Sequence, residues 1–170
     1  CEVRFVTDAP YTDVYVSCIN LDPPSRREIR IFRGNFECDS IDIEPGKVNH
    51  IRLTPPATFP TARDDRLSEG GFASNVWRLA MNSAATFCLH GVYSLGHDIR
   101  PPTESEKPAR KWLAYGSSIT YSNLDGYPHV AARALKVDLQ NKGMAGSCHL
   151  EKELIDWLVD KCEWDIATIE

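Results

Sequence analysis

Lys111-Trp112-Leu113-Ala114-Tyr115-Gly116-Ser117-Ser118-Ile119-Thr120 decides how the rest of this 170-residue chain is read. An apolar run enters a glycine and two serines at the point where the pattern predicts the carboxyl end of a strand. In an open α/β sheet that end is where ligands bind and where loops carry chemistry. The segments that follow predict a strand at 112–115, a helix at 127–135 with Pro128 in its first turn, and a strand at 137–141. A helix at 150–160 then carries Leu150, Leu154, Trp157 and Leu158 on one face, before a strand at 165–169. Strands alternating with helices imply right-handed crossovers and a parallel sheet. So small a sheet leaves an edge and apolar surface uncovered, so the reading expects the start of a larger domain, ending before its later parts.

Upstream the character differs. Residues 2–6, 12–18, 28–33, 41–44, 49–54, 75–81 and 86–95 are short β-rich runs. Asp8-Ala9-Pro10, Asp22-Pro23-Pro24, Glu44-Pro45-Gly46 and Met81-Asn82-Ser83 separate them as turns. Glu28-Ile29-Arg30-Ile31-Phe32-Arg33 alternates with the period of a half-buried strand. Many short strands with frequent turns predict a β-sandwich of the jelly-roll kind over 1–100. The proline-bearing stretch 55–71, with its charged run Arg63-Asp64-Asp65-Arg66, reads as an excursion from the sandwich edge. Arg100-Pro101-Pro102 and the charged residues after it predict a linker over 101–110, with the α/β region at 111–170.

Composition bounds the function. A hydrophobic share of 42% and a charged share of 25% are ordinary for a globular protein. A net charge of -5 argues against nucleic acid as a partner, and Arg26-Arg27 with Arg30 and Arg33 reads as the solvated face of a strand. No segment approaches the roughly 18 apolar residues needed to span a bilayer. The amino terminus, Cys1-Glu2-Val3-Arg4, has neither a starting Met nor a signal-peptide core, so a processed or trimmed end is expected and the compartment stays open. Cys1, Cys18, Cys38, Cys88, Cys148 and Cys162 are scattered with no paired spacing, which speaks against structural zinc and for buried free thiols.

A serine hydroxyl becomes a nucleophile only when a base takes its proton and donors stabilise the oxyanion. Gly116 permits a sharp turn, small Ser117 leaves space around Ser118, and Ile119 with Thr120 would anchor the turn by packing and hydroxyl capping. Thr120 stands where an α/β-hydrolase elbow needs glycine, and no Gly-Lys precedes the serines as in a phosphate loop. The next strand ends in Asn141-Lys142-Gly143-Met144-Ala145-Gly146-Ser147. In a parallel sheet this places Gly146 beside the Ser118 turn, where two backbone N–H groups could form an oxyanion hole. The competing readings are a helix cap for Ser118 and a turn glycine for Gly146. His129 and His149 follow the two loops but read as surface or supporting residues, and Asp125 and Asp165 as loop and strand-start residues. Tyr121 and Asn123 are candidate substrate contacts or ordinary loop residues. Trp77, Tyr93 and Tyr11 read as core aromatics, with a sugar-stacking platform as the alternative.

Leu113 to Thr120, followed by Asn141-Lys142-Gly143-Met144-Ala145-Gly146, resembles the first two sequence blocks of the SGNH (GDSL-type) serine hydrolases. Some members of that family carry an amino-terminal sandwich and a proline-bearing linker, which Leu89-His90-Gly91-Val92-Tyr93 and Arg100-Pro101-Pro102 resemble. The resemblance implies a three-layer α/β/α domain, Ser118 as nucleophile, and Gly146 with the Ser118 backbone as oxyanion donors. It implies a small-molecule or carbohydrate ester as substrate, hydrolysed or passed to an acceptor without metal or cofactor. The family's usual Gly-Asp-Ser is Gly-Ser-Ser here, and its Asn and Asp-x-x-His blocks do not occur in this sequence. The rival expectation is a non-catalytic module whose sandwich binds carbohydrate or protein.

Overall fold

In a computed structural model the chain is described over residues 1–19, 27–57, 70–82 and 85–170. The predicted turn at 22–24, most of the excursion at 55–71, the last residue of the predicted turn at 81–83, and Arg26 lie outside the described residues. The chain divides into two compact units, Cys1–Glu106 and Lys107–Glu170.

Among the described residues the first unit contains seven strands: β1 (Glu2–Val6), β2 (Thr12–Ile19), β3 (Glu28–Arg33), β4 (Phe36–Asp42), β5 (Val48–Leu53), β6 (Val76–Met81) and β7 (Thr86–Tyr93). They form two antiparallel sheets, in the orders β1-β6-β3-β4 and β5-β2-β7. In β2 the alternation is strict, with Val14, Val16 and Cys18 buried and Asp13, Tyr15 and Ser17 on the opposite face. Those buried residues join Phe5, Ile29, Ile31, Ile51, Leu53, Trp77 and Leu79 in one core to which both sheets contribute. Burying each large aliphatic chain contributes about 1.5–3 kcal/mol, so this core dominates the unit's stability.

Two features depart from the expectations. The predicted strand at 41–44 is instead β4, starting at Phe36 and paired with β3 through a hairpin at Gly34-Asn35. Gly34 has φ +59, and an added Cβ would lie 3.0 Å from the Ala73 carbonyl oxygen, so the turn requires glycine. The arginine face of β3 is covered rather than solvated: the Arg30 side chain is 12% exposed beside Glu28, and Arg33 lies 4.7 Å from the Trp77 ring centre. Opposite the core Arg78 pairs with Glu2 at 2.5 Å. Burial pushes the Glu2 carboxyl up, yet Arg78 and Arg4 together bring it down to about 2.

The stretch after β7 is tied to the first unit. Val6 and Arg100 exchange backbone hydrogen bonds of 2.8 and 3.1 Å. The Glu106 carboxylate accepts two bonds of 2.7 Å from Arg100 and further bonds from Asn75 and Thr103. Arg100 holds the Glu106 carboxyl well below the usual carboxylate range.

The second unit is built on three parallel strands, β8 (Lys111–Gly116), β9 (Asp138–Gly143) and β10 (Ile166–Ile169), in the order β10-β8-β9. Its helices are α1 (Ser118–Tyr121), α2 (Tyr127–Leu135) and α3 (Lys152–Lys161). Alternation along β8 sends Trp112 and Ala114 to a cluster with Ala132 of α2, and Leu113 and Tyr115 to a cluster with Leu158 of α3. Helices therefore cover both faces, as parallel sheets require. Helix α2 begins after Gly126 with Pro128 in its first turn, and ends at Lys136 in the left-handed conformation. Ile169 on β10 is 70% exposed. Among the described residues no helix is long and apolar enough to cross a membrane. All six cysteines are free thiols, and of these Cys18 alone is buried.

Candidate active site

Strand β8 is central in its sheet, with β9 on one side and β10 on the other. The chain leaves β8 towards β9 and later returns to β8's opposite side. The carboxyl end of β8 is therefore the point where strand order reverses, which is where open α/β sheets form a crevice. The turn carrying Ser117 and Ser118 lies at this end.

The turn is held from several directions. Ser117 has extended backbone at φ -76 and ψ -157, and its Oγ accepts a 3.3 Å hydrogen bond from the Ile119 N–H as the cap of α1. The same hydroxyl donates to the Glu170 carboxylate at 2.9 Å, and the Ser117 N–H donates to it at 2.9 Å. Thr120, wholly buried, donates its hydroxyl to Glu170 at 3.1 Å and sits 2.8 Å from the Tyr127 hydroxyl. Hydrogen bonds from the Ser117 hydroxyl and N–H, with those from Thr120, hold the Glu170 carboxyl below its usual range. At Gly116 an added Cβ would lie 2.4 Å from Thr120 Oγ1 and 2.7 Å from Glu170 Oε2, so glycine is what lets these groups close over the strand end.

Strand β9 supplies the other wall. The Met144 N–H donates to the Gly116 carbonyl at 2.8 Å, continuing the ladder past both strand ends. Asn141 donates its side-chain amide to the Thr120 carbonyl at 2.7 Å and accepts from the Gly143 N–H at 2.9 Å. Gly143 lies so close beneath α1 that an added Cβ would come within 2.1 Å of the Tyr121 backbone nitrogen. Gly146 follows in the loop with φ +71 and open space on its Cβ side.

Ser118 is exposed as the first residue of α1, and its carbonyl accepts from the Ser122 N–H at 3.1 Å. Of the expected anchors Thr120 is one by its buried hydroxyl, whereas Ile119 is 63% exposed and does not anchor by packing. Tyr121 is exposed at the end of α1. Asn123 shapes the next turn, accepting from the Asp125 N–H at 2.9 Å. His129 lies half-buried on α2, and His149 is exposed in the loop after β9. Asp165 starts the β10 pairing by accepting from the Lys111 N–H at 2.7 Å.

The sequence reading assigned no role to Glu170 or to the Asn141 side chain. Asn141 had a signal, standing two residues before a glycine at a strand end. Glu170 had none, because its partners are 50 and 53 positions away. Among the described residues no group of His, Cys, Asp and Glu could hold a metal ion.

The fold is one shared with solved structures of acyl-transferring and ester-cleaving proteins. It superposes on a salicylyl-acyltransferase from a tetracycline biosynthetic pathway with a TM-score of 0.69 at 17% identity, over 98% of this chain and 46% of that one. A GDSL-like lipase from Bacteroides ovatus matches with a TM-score of 0.60 at 16% identity, over 99% of this chain and 50% of that one. An acetyl xylan esterase from the rumen bacterium Butyrivibrio proteoclasticus matches with a TM-score of 0.51 at 13% identity, over 85% of this chain and 39% of that one. The chain thus spans half or less of the length of each of these structures. No family model and no curated protein sequence matches the chain.

Proposed function

We propose that the intact protein is a serine acyl hydrolase or acyltransferase of the SGNH (GDSL) type, with an amino-terminal jelly-roll-like sandwich and the first half of the α/β/α catalytic domain in this chain. The domain limits on this reading are 1–100, a linker at 101–110, and 111–170. Ser118 Oγ attacks the carbonyl carbon of a small acyl ester and passes its proton to a general base. The tetrahedral oxyanion accepts from the backbone N–H groups of Ser118 and Gly146. Collapse expels the alcohol, which takes up the proton, and water or an acceptor alcohol then releases the acyl group from Ser118. The base and a third oxyanion donor belong to the Asp-x-x-His and Asn blocks that the family resemblance implies outside these residues. Tyr121 and Asn123, just beyond the nucleophile, are the proposed contacts to the acyl or alcohol group.

The observation that carries this reading is an exposed Ser118 on a braced turn at the strand-order reversal. A mere cap would not need that bracing: Ser117 already caps α1, which leaves the Ser118 hydroxyl available. The experiment is turnover of p-nitrophenyl acetate by the intact protein, with covalent labelling by a fluorophosphonate read by intact mass. One adduct and turnover, both abolished in S118A, are expected. Unchanged turnover in S118A would overturn the assignment.

A further inference from the structure

The outer face of the sheet β5-β2-β7 carries a row of rings. Tyr15 on β2 has His50 of β5 and Gly91 of β7 as its cross-strand partners. The Tyr15 and His50 rings stack at 5.0 Å with 22° between their planes, and Tyr93 meets Tyr15 edge-on at 5.6 Å. Tyr93 lies down over Gly91, where an added Cβ would come within 2.7 Å of its ring. Glycine at this position is what brings the third ring into line, yet Tyr93 stays 60% exposed.

An open cleft of about 460 Å³ runs along this row, lined by Asp13, Tyr15, Val48, His90 and Tyr93. That volume lies within the range of roughly 300–1,000 Å³ that small-molecule sites occupy. Polar groups rim it. His90 Nε2 is 2.8 Å from the Ser17 hydroxyl, and Asp13 sits between Arg52 and His50.

The charges decide what fits. Arg52 binds both Asp13 oxygens at 2.8 and 3.0 Å, and His50 Nε2 is 2.7 Å from one of them. Bonds from Arg52 and then His50 hold the Asp13 carboxyl at about 2, so it stays ionised but already neutralised. A cation entering the aromatic row would meet a guanidinium instead of a free carboxylate. An anion would find that guanidinium held by Asp13 and covered by the Tyr11 ring at 4.2 Å. A neutral ligand with one apolar face and several hydroxyls meets neither obstacle. Its polarised C–H bonds lie on the open face of the Tyr93 ring, one hydroxyl donates to the remaining lone pair of Asp13 Oδ2, and another exchanges bonds with His90.

We propose that this cleft is a carbohydrate-binding site, taking pyranose units whose equatorial hydroxyls leave an apolar C–H face for the exposed Tyr93 ring, with Tyr15 edge-on beside it. The site does not depend on the Ser118 reading.

The test is calorimetric titration of the intact protein, in the S118A background, with cellohexaose, xylohexaose and mannohexaose. Saturable binding to at least one is expected, weakened at least about threefold by Tyr93→Ala and retained by Tyr93→Phe. Gly91→Ala, which displaces the Tyr93 ring, is expected to weaken binding similarly, with circular dichroism confirming that each variant is folded. Absence of saturable binding to all three hexaoses overturns the proposal. So does binding that Tyr93→Ala and Gly91→Ala leave unchanged, which would assign the sugar to another surface.

Discussion

Glu170 and Ser117 are joined twice: the carboxylate accepts both the backbone N–H and the hydroxyl of Ser117, each at 2.9 Å. The residue before the proposed nucleophile is thus fixed by the end of the neighbouring parallel strand. Glu170→Gln keeps the shape but removes the charge and turns one acceptor into a donor. Ser118-dependent turnover is expected to fall several-fold through kcat, with KM little changed. The Glu170 carboxyl sits below its usual value of 4.5, so its hold on the turn is complete above that value and lost as pH falls through the lowered one. Below pH 4.5 turnover of the wild type should therefore fall more steeply than that of the Gln variant, beyond the decline that protonation of the proposed His base gives both. A variant with wild-type kcat and the same acid limb would remove Glu170 from this role.

Neighbouring serines should separate cleanly. Ser117→Ala deletes the cap of α1 and is expected to cost about 1 kcal/mol of stability. Ser118→Ala changes an exposed hydroxyl and should stay within roughly 0.5 kcal/mol of wild type. Thermal unfolding measures both effects, and fluorophosphonate labelling is expected to be lost in Ser118→Ala. Labelling retained in Ser118→Ala would move the nucleophile elsewhere.

Gly143→Ala tests the close approach of α1 to β9. Its Cβ would fall 2.1 Å from the Tyr121 backbone nitrogen, so α1 must move away from the strand. The expected outcome is a larger loss of labelling rate at Ser118 than of folded population. Equal labelling of the two proteins would mean that the turn tolerates displacement.

Glu2 should make the first unit acid-labile. Its carboxyl, at about 2 in the folded state against 4.5 ordinarily, contributes stability that is present above 4.5 and lost as pH falls towards 2. A shift of this size corresponds to ~3 kcal/mol at neutral pH, as an upper figure for a group beside two arginines. Urea unfolding of wild type and Glu2→Gln should show that gap at pH 7 and its near closure at pH 2. A gap independent of pH would mean that packing, rather than charge, accounts for the loss.

Much of the architecture was legible locally. The alternation of Val14, Val16 and Cys18 against Asp13, Tyr15 and Ser17 belongs to β2 alone, and Gly126, Pro128 and Lys136 mark both ends of α2. The strand, glycine and serines of 111–118 likewise read correctly as the end of a buried strand followed by a turn. β4 was mostly missed because it is an edge strand: Phe36 to Ser40 bury little, so its place depends on backbone pairing with β3 and leaves no hydrophobic period. The aromatic reading split for a similar reason. Trp77, at 2% exposure, lies in the core, whereas Tyr93 lies on the outer face.

The sequence by itself determined the segments, their faces and the turn that carries Ser118, because periodicity, capping and glycine placement act over a few neighbouring residues. Only the tertiary structure decided that β8 lies between β9 and β10. That order brings Glu170 and Asn141 to the Ser117–Thr120 turn, and the order β5-β2-β7 brings His50, Tyr15 and Tyr93 into one row. Such contacts join positions tens of residues apart, and their free energy comes from strand pairing and core burial that no short stretch of chain encodes.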